Sequence, residues 1–279
     1  MGGAAGEPAG RSGGRAGDEM HVLRPGPGVL DDADLAALYA PDDPAVPALR
    51  VNFVASVDGA VTVDGHSEGL SSPADKRVFG LLRMFCDALI VGAGTLRNEG
   101  YGPLRLDERR RAWRRAHGLA ECPPLVVVSA RLDLDPANPA LAEAPVRPVV
   151  LTHANAPAAA RAALGAVADV LALGDAVVDL PAALAALRAR GLRQLLCEGG
   201  PVLFGSLAAA DLVDEVCLSI SPLVAGPGAS RIIAGPPELP GGARRYALRH
   251  ALAADDLLLL RYVRSSNSPA AVADSSAQA

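Results

Sequence analysis

Short apolar runs alternate with helical stripes along most of the chain. Leu49–Ser56 reads as a strand that stops at the turn pair Asp58-Gly59. Ser72-Pro73 opens a helix, with Ser as N-cap and Pro at the first helical position, and Val78, Leu81, Leu82 and Phe85 form its apolar stripe. Ala88–Val91 is a short buried strand. Asp107–His117 is a charged helix with little apolar face, expected as a surface excursion. Leu125–Ser129 and Val149–Thr152 are further apolar runs. Pro157–Leu164 is helical and Asp169–Leu173 a strand. Leu180–Arg190 is a helix closed by Gly191. Gln194–Cys197 is a strand running into Glu198-Gly199-Gly200, and Pro201–Ala210 is the next helix. Val213–Ile220, Tyr246–Ala251 and Leu257–Val263 are strands without intervening helices.

Alternation followed by consecutive strands predicts an α/β protein whose sheet is mostly parallel with antiparallel edge strands. One domain is expected over 49–264, preceded by an N-terminal arm over 21–48 with one helix, Asp31–Tyr39. Residues 1–20 and 265–279 lack apolar periodicity and are expected to be disordered. The run Val213–Ile220 fits either a core strand or a subunit interface.

Composition narrows the function. With 31 acidic and 26 basic residues the formal charge is −5, which argues against a nucleic-acid binder. Lys76 is the only lysine among the basic residues. Cys86, Cys122, Cys197 and Cys217 form no C-x-x-C pair and have no histidine at ligand spacing, so reduced thiols and no metal site are expected. No stretch reads as a signal peptide or a membrane helix, which makes a cytoplasmic location the expectation.

Four segments lie at or near carboxyl ends of predicted strands, where open α/β sheets bind ligands. They are Val54–Gly59, Val91–Thr95, Val127–Arg131 and Cys197–Phe204. The second and fourth run from strand through glycines into a helix start, which suits a phosphate approaching free backbone N–H groups. Glu198 places a carboxylate just before such glycines. Ser129 and Arg131 offer a hydroxyl and a guanidinium that suit the 2′-phosphate of an adenosine ribose, and so NADPH over NADH.

Taken together, NFVASVDGAVTVDGHSEGLSSPADKRVFGLLR, DALIVGAGTLRNEGYGPLR and LLCEGGPVLFGSLAAADLVDEVCLSISPLVAGPG resemble the reductase domain of bacterial riboflavin-biosynthesis enzymes, a relative of dihydrofolate reductase. The resemblance implies a dihydrofolate-reductase-like three-layer fold with antiparallel C-terminal strands. It also implies a homodimer, NADPH as cofactor and a 5-amino-6-(5-phosphoribosylamino)uracil-type substrate. Ala55, Gly69, Thr95, Glu99 and Ser129 fall where that family contacts NADPH. So does the run Gly200, Pro201, Val202, Leu203, Phe204, Gly205 and Ser206, expected to wrap the pyrophosphate. Asn52, Ser67, Arg83, Leu104, Arg105 and Glu198 fall on the substrate side, with Ser67, Arg83 and Arg105 expected on the 5′-phosphate. Bifunctional bacterial members often carry Lys where this chain has Asn52, whereas archaeal and fungal relatives have Asn. The deaminase zinc signature, H-x-E with P-C-x-x-C, is not found in this sequence.

The implied reaction reduces a ribosyl group to a ribityl chain. Glu198 is the first expectation for a proton-handling or substrate-anchoring carboxylate, and Asp58 the second. Reduction of dihydrofolate or another small molecule on the same fold remains open at this point, as does a non-catalytic NADP-binding protein.

Overall fold

The computed structural model describes residues 20–24, 28–235, 239–254 and 256–265. In chain order the strands are β1 (Met20–Arg24), β2 (Gly28–Leu30), β3 (Ala48–Ser56), β4 (Ala88–Gly92), β5 (Leu125–Val128), β6 (Val149–Thr152), β7 (Asp169–Ala172), β8 (Gln194–Cys197), β9 (Glu215–Ser221), β10 (Tyr246–Ala254) and β11 (Leu257–Arg264). The helices are α1 (Asp32–Tyr39), α2 (Pro73–Phe85), α3 (Ala93–Asn98), α4 (Glu108–Ala116), α5 (Pro139–Ala142), α6 (Ala158–Gly165), α7 (Leu180–Ala189) and α8 (Pro201–Ala209).

All these strands join one sheet in the order β2-β1-β10-β11-β9-β3-β8-β4-β5-β6-β7. From β9 to β7 neighbouring strands are parallel, and from β9 to β2 they are antiparallel. Strand alternation explains the layers. Leu89 and Val91 of β4 enter one apolar cluster with Val78, Leu82 and Phe85 of α2. Ala88 and Ile90 enter the other, with Leu184 and Leu187 of α7 and Leu203 and Leu207 of α8. A sheet covered on both faces reads as near-continuous apolar runs. This is the expected three-layer α/β fold, with a mostly parallel sheet and antiparallel strands at its C-terminal side.

Several expectations change. The N-terminal arm supplies two strands, β2 at the sheet edge and β1 beside it, as well as a helix. Its β1, MHVLR, is too short and too near a Pro/Gly stretch to show a clear period of two, and gains strand character by pairing with β10. Met20 therefore belongs to the sheet; residues 1–19 and 266–279, where disorder was expected, lie outside the described residues. Helix α4 is anchored rather than an excursion: Trp113 meets Phe85 edge-on with ring centroids 5.1 Å apart. Arg114 lies fully buried, donating from Nη1 to the carbonyls of Met84 (2.9 Å) and Cys86 (2.6 Å). Its charge concealed this, because a guanidinium that meets only carbonyls looks like surface in a sequence. The run at β9 is a core strand, flanked by β3 and β11.

The arm also braces the site. Buried Glu215 accepts from Nε of Arg50 at 2.7 Å and from Nε and Nη2 of Arg261, both at 2.9 Å. Nη1 of each arginine donates to a carbonyl at the end of α1, Tyr39 (2.8 Å) for Arg50 and Leu38 (2.6 Å) for Arg261. The other end of α1 holds α2 through Asp32 and Arg77 at 2.5 Å.

Candidate active site

Helix α2 starts where the sequence placed it, with Ser72 Oγ accepting from the Asp75 N–H at 3.2 Å and Pro73 in the first turn. It projects Asp75, Lys76, Phe79 and Arg83 into a cavity of about 480 Å³ at the carboxyl end of the parallel strands. Asn52 and Phe53 of β3, Thr95 and Glu99 around α3, Tyr101 to Arg105 and Glu198 to Pro201 complete most of the wall.

Glu198 is buried, and its carboxylate is held tightly. Oε1 accepts from Arg83 Nε at 2.7 Å, while Oε2 accepts from Arg83 Nη2 at 2.7 Å and from the Tyr101 hydroxyl at 2.8 Å. The Arg83 guanidinium lies over the Phe79 ring, 4.1 Å from its centroid. Burial works against the Arg83 charge, but Glu198 outweighs it and holds the guanidinium more firmly protonated than usual. Burial, followed by the Glu198 charge, pushes the Tyr101 phenol well above its ordinary value, so it stays a donor. A carboxylate so supplied is a fixed anionic acceptor.

Asp75 is the second buried carboxylate of the cavity and was missed from the sequence. It accepts from Ser71 Oγ at 2.5 Å and from Ser219 Oγ at 2.6 Å, leaving further lone pairs on each oxygen. A signal was present, because Asp75 is three and seven residues from Val78 and Leu82 and so shares their buried stripe. Tyr101 was also missed; it follows Gly100 in a loop and carries no periodic signal.

Asn52, Ser67, Arg83, Thr95, Glu99, Leu104, Arg105, Glu198, Gly200 and Pro201 all line this cavity, as a shared site requires. Ser67 Oγ donates to Glu99 at 2.9 Å, so these two expected contacts bind each other. Arg83 lines the cavity on the expected substrate side, with Nε and Nη2 given to Glu198 and Nη1 outside that pair. Ala55 is buried within β3, and Gly69 sits on an exposed turn against Val63; neither lines the cavity.

Asp58 is corrected. It is exposed, away from the cavity, and accepts from Ser56 Oγ and from the N–H groups of Ala225 (3.1 Å) and Gly226 (2.7 Å). The Ser56 hydroxyl, then these two backbone donors, lower its carboxyl from 3.8 to about 2, which suits a loop clamp and not a proton carrier. The folded value is depressed, so the stabilisation is present above about pH 4 and lost as pH falls through about 2. Acid unfolding of Asp58→Asn is expected to lack that component between those limits. Superimposable acid profiles for variant and parent would contradict the clamp.

The glycine loop forms a backbone cradle. Gly92 N–H donates to the Gly199 carbonyl at 2.7 Å, which brings the starts of α3 and α8 together. A Cβ on Gly200 would lie 2.7 Å from Thr95 Oγ1. Asp or Ser side chains cap α1, α2, α4 and α7, whereas no side chain caps α8, so its Val202 and Leu203 N–H groups are left for a ligand. The rest of the expected wrap is corrected. Phe204 stacks on Phe53 at 5.3 Å, a Cβ on Gly205 would lie 2.0 Å from the Ala234 carbonyl, and Ser206 Oγ donates to the Val202 carbonyl at 3.0 Å. Phe204 and Gly205 face packing partners, whereas Ser206 is exposed and bonds back within α8. Ser129 Oγ is buried and accepts from the Leu132 N–H at 3.0 Å, while Arg131 is exposed with no ion pair among the described residues.

Sheet, layers and cleft define a dihydrofolate-reductase-like α/β protein with a polar site at the carboxyl edge of its parallel strands. Residues 47–257 match the family model described as the RibD C-terminal domain, and the chain belongs to that family. It is 30% identical over 181 residues to a 2,5-diamino-6-ribosylamino-4(3H)-pyrimidinone 5′-phosphate reductase of Archaeoglobus fulgidus, covering 64% of this chain and 82% of that one. It is 32% identical over 181 residues to the protein of the same description from Methanothermobacter thermautotrophicus, covering 64% and 80%. Among solved structures it resembles a pyrimidine reductase-like protein of Corynebacterium diphtheriae, with TM-score 0.76, 26% identity and coverage of 84% of this chain and 99% of that one.

Proposed function

We propose that this protein is an NADPH-dependent oxidoreductase of riboflavin biosynthesis that reduces the ribosyl group of a ribosylamino-pyrimidine 5′-phosphate to ribityl. The observation carrying this reading is one cavity that joins two buried carboxylates, Asp75 and Glu198, to the uncapped start of α8. The two archaeal relatives are named for the same reaction class. Those names and the paired carboxylates favour the 2,5-diamino pyrimidine over the uracil form. A 2-amino group beside a ring N–H offers two donors to a carboxylate, whereas a 2-oxo group would oppose it.

The cradle fits a dinucleotide. Gly199 packs against Phe53 and Gly200 against Thr95, which sets the loop at the start of α8, where the free N–H groups of Val202 and Leu203 suit a pyrophosphate. NADPH, when bound, supplies the hydride that C1′ receives. Asp75 takes the proton role: as the bond from C1′ to the ring oxygen breaks, the nitrogen gives up its proton and the ring oxygen gains one, leaving an imine. When C1′ is reduced, the nitrogen takes up one proton that Asp75 passes on from solvent. Glu198, fixed by Arg83 and Tyr101, orients the substrate as an acceptor.

Assaying the 2,5-diamino and uracil substrates side by side, with NADPH oxidation as readout, tests this reading. Turnover of the diamino compound at the higher kcat/KM is expected, and turnover of neither would refute the function. Arg131, exposed just past the end of β5, is the proposed holder of the 2′-phosphate. By calorimetry NADPH should bind about ten-fold tighter than NADH, equivalent to ~1.4 kcal/mol, and Arg131→Ala should remove most of that preference. Equal affinities in the parent would contradict this assignment. A homodimer is the proposed assembly, to be read by sedimentation.

A further inference from the structure

Strand β9 turns one face toward α1 and α2. Glu215, Cys217, Ser219 and Ser221 alternate along that face and are all buried. Glu215 is taken by Arg50 and Arg261, and Cys217 enters the apolar cluster that contains Val78 and Leu82 of α2. Ser221 ends the strand, but Ser219 lies inside it, between Val54 of β3 and Leu259 of β11. A buried position in the interior of a sheet ordinarily carries an apolar side chain. A hydroxyl placed there must find a partner. Ser219 is 2% exposed, and its Oγ donates to Asp75 Oδ1 at 2.6 Å.

The other hydroxyl on Asp75 is local. Ser71 lies four residues before Asp75, so its bond to Oδ2 at 2.5 Å closes within one segment and moves with the start of α2. Ser219 is 144 residues away and belongs to the sheet. It fixes the Asp75 carboxyl relative to β3, whose Asn52 and Phe53 line the same cavity. The two carboxylates of the cavity are also held by different chemistry. Glu198 meets a guanidinium, which can only donate. Asp75 has no ion pair among the described residues and meets one hydroxyl on each oxygen. A hydroxyl donates to a carboxylate and, by rotating, accepts from a carboxylic acid. A carboxyl that gains and loses a proton in each turnover keeps such a partner in both states.

We propose that Ser219 is a positioning residue for the reaction, acting through Asp75 by holding its carboxyl against the sheet in both protonation states; this rests on the functional reading above. Ser219→Ala is expected to lower kcat by roughly 10- to 100-fold, with KM and NADPH affinity within a few-fold of the parent. Ser219→Thr keeps the hydroxyl and suits a strand, and should recover most of the loss. Added to Asp75→Asn, Ser219→Ala should cost little more, because the two side chains act as one unit. A parental kcat in Ser219→Ala, threonine no better than alanine, or a full further loss in the double variant overturns the assignment.

A second arm needs no turnover. With aspartate labelled by carbon-13 at Cγ in the full chain, the Asp75 signal is identified by its loss in Asp75→Asn. It should move in Ser219→Ala and keep its parental position in Ser219→Thr. An unmoved signal in Ser219→Ala overturns the proposal. A moved signal, combined with no reduction of either pyrimidine by the parent, would reject the functional reading while keeping Ser219 as the residue that fixes Asp75.

Discussion

Replacing Arg83 with alanine is expected to cripple the enzyme on phosphorylated and dephosphorylated substrate alike and to destabilise the fold. The Glu198 side chain is 2% exposed and Arg83 22%. Removing the guanidinium leaves a buried carboxylate with only the Tyr101 hydroxyl as donor. Breaking a buried pair from one side typically costs ~3–5 kcal/mol. The partial exposure of Arg83 lets water relieve some of this and places the loss near about 3 kcal/mol. For a domain of this size that lowers the melting temperature by roughly 6–12 °C. Lysine should not rescue it, because one ammonium cannot reproduce two parallel N–H donors. A variant of parental stability, impaired only on phosphorylated substrate, would return Arg83 to the phosphate.

Asp75→Asn is expected to lower turnover by ~100- to 10,000-fold, the usual contribution of general acid–base catalysis, while NADPH affinity stays near that of the parent. The amide keeps the shape of the side chain. One oxygen can still accept from Ser71 or Ser219, but the NH₂ group cannot, and no proton can be exchanged. A purely structural role would appear as lost stability with kcat within a few-fold of the parent. That result would leave Glu198 as the proton carrier despite its three committed donors.

The sequence made the strand ends legible because glycines there are costly unless something approaches closely; Glu198-Gly199-Gly200 proved to be such a place. Helix α2 was legible from Ser72-Pro73 and its apolar stripe. The partner of Arg83 was not, because Glu198 is 115 residues away and meets it only through the stacking of α2 on the sheet. Asp75 was legible in principle as a carboxylate on the buried stripe, but a local run of Asp75-Lys76-Arg77 looks like an ordinary solvated helix start. Asp58 misled for the opposite reason. An acid beside a glycine at a strand end serves catalysis or a turn equally well, and only the Ala225 and Gly226 N–H groups show which. Strands β1 and β2 were hidden because pairing, β1 with β10 and β2 with β1, rather than local periodicity makes them strands.

The central claim, that this cavity delivers a hydride to the sugar carbon of a ribosylamino-pyrimidine phosphate, is tested most directly with NADPH deuterated at the transferred position. Mass spectrometry of the product should show one deuterium on C1′ of a ribityl chain, in step with NADPH consumed. NADPH oxidation without label in the product, or a ribosyl group left intact, would contradict it.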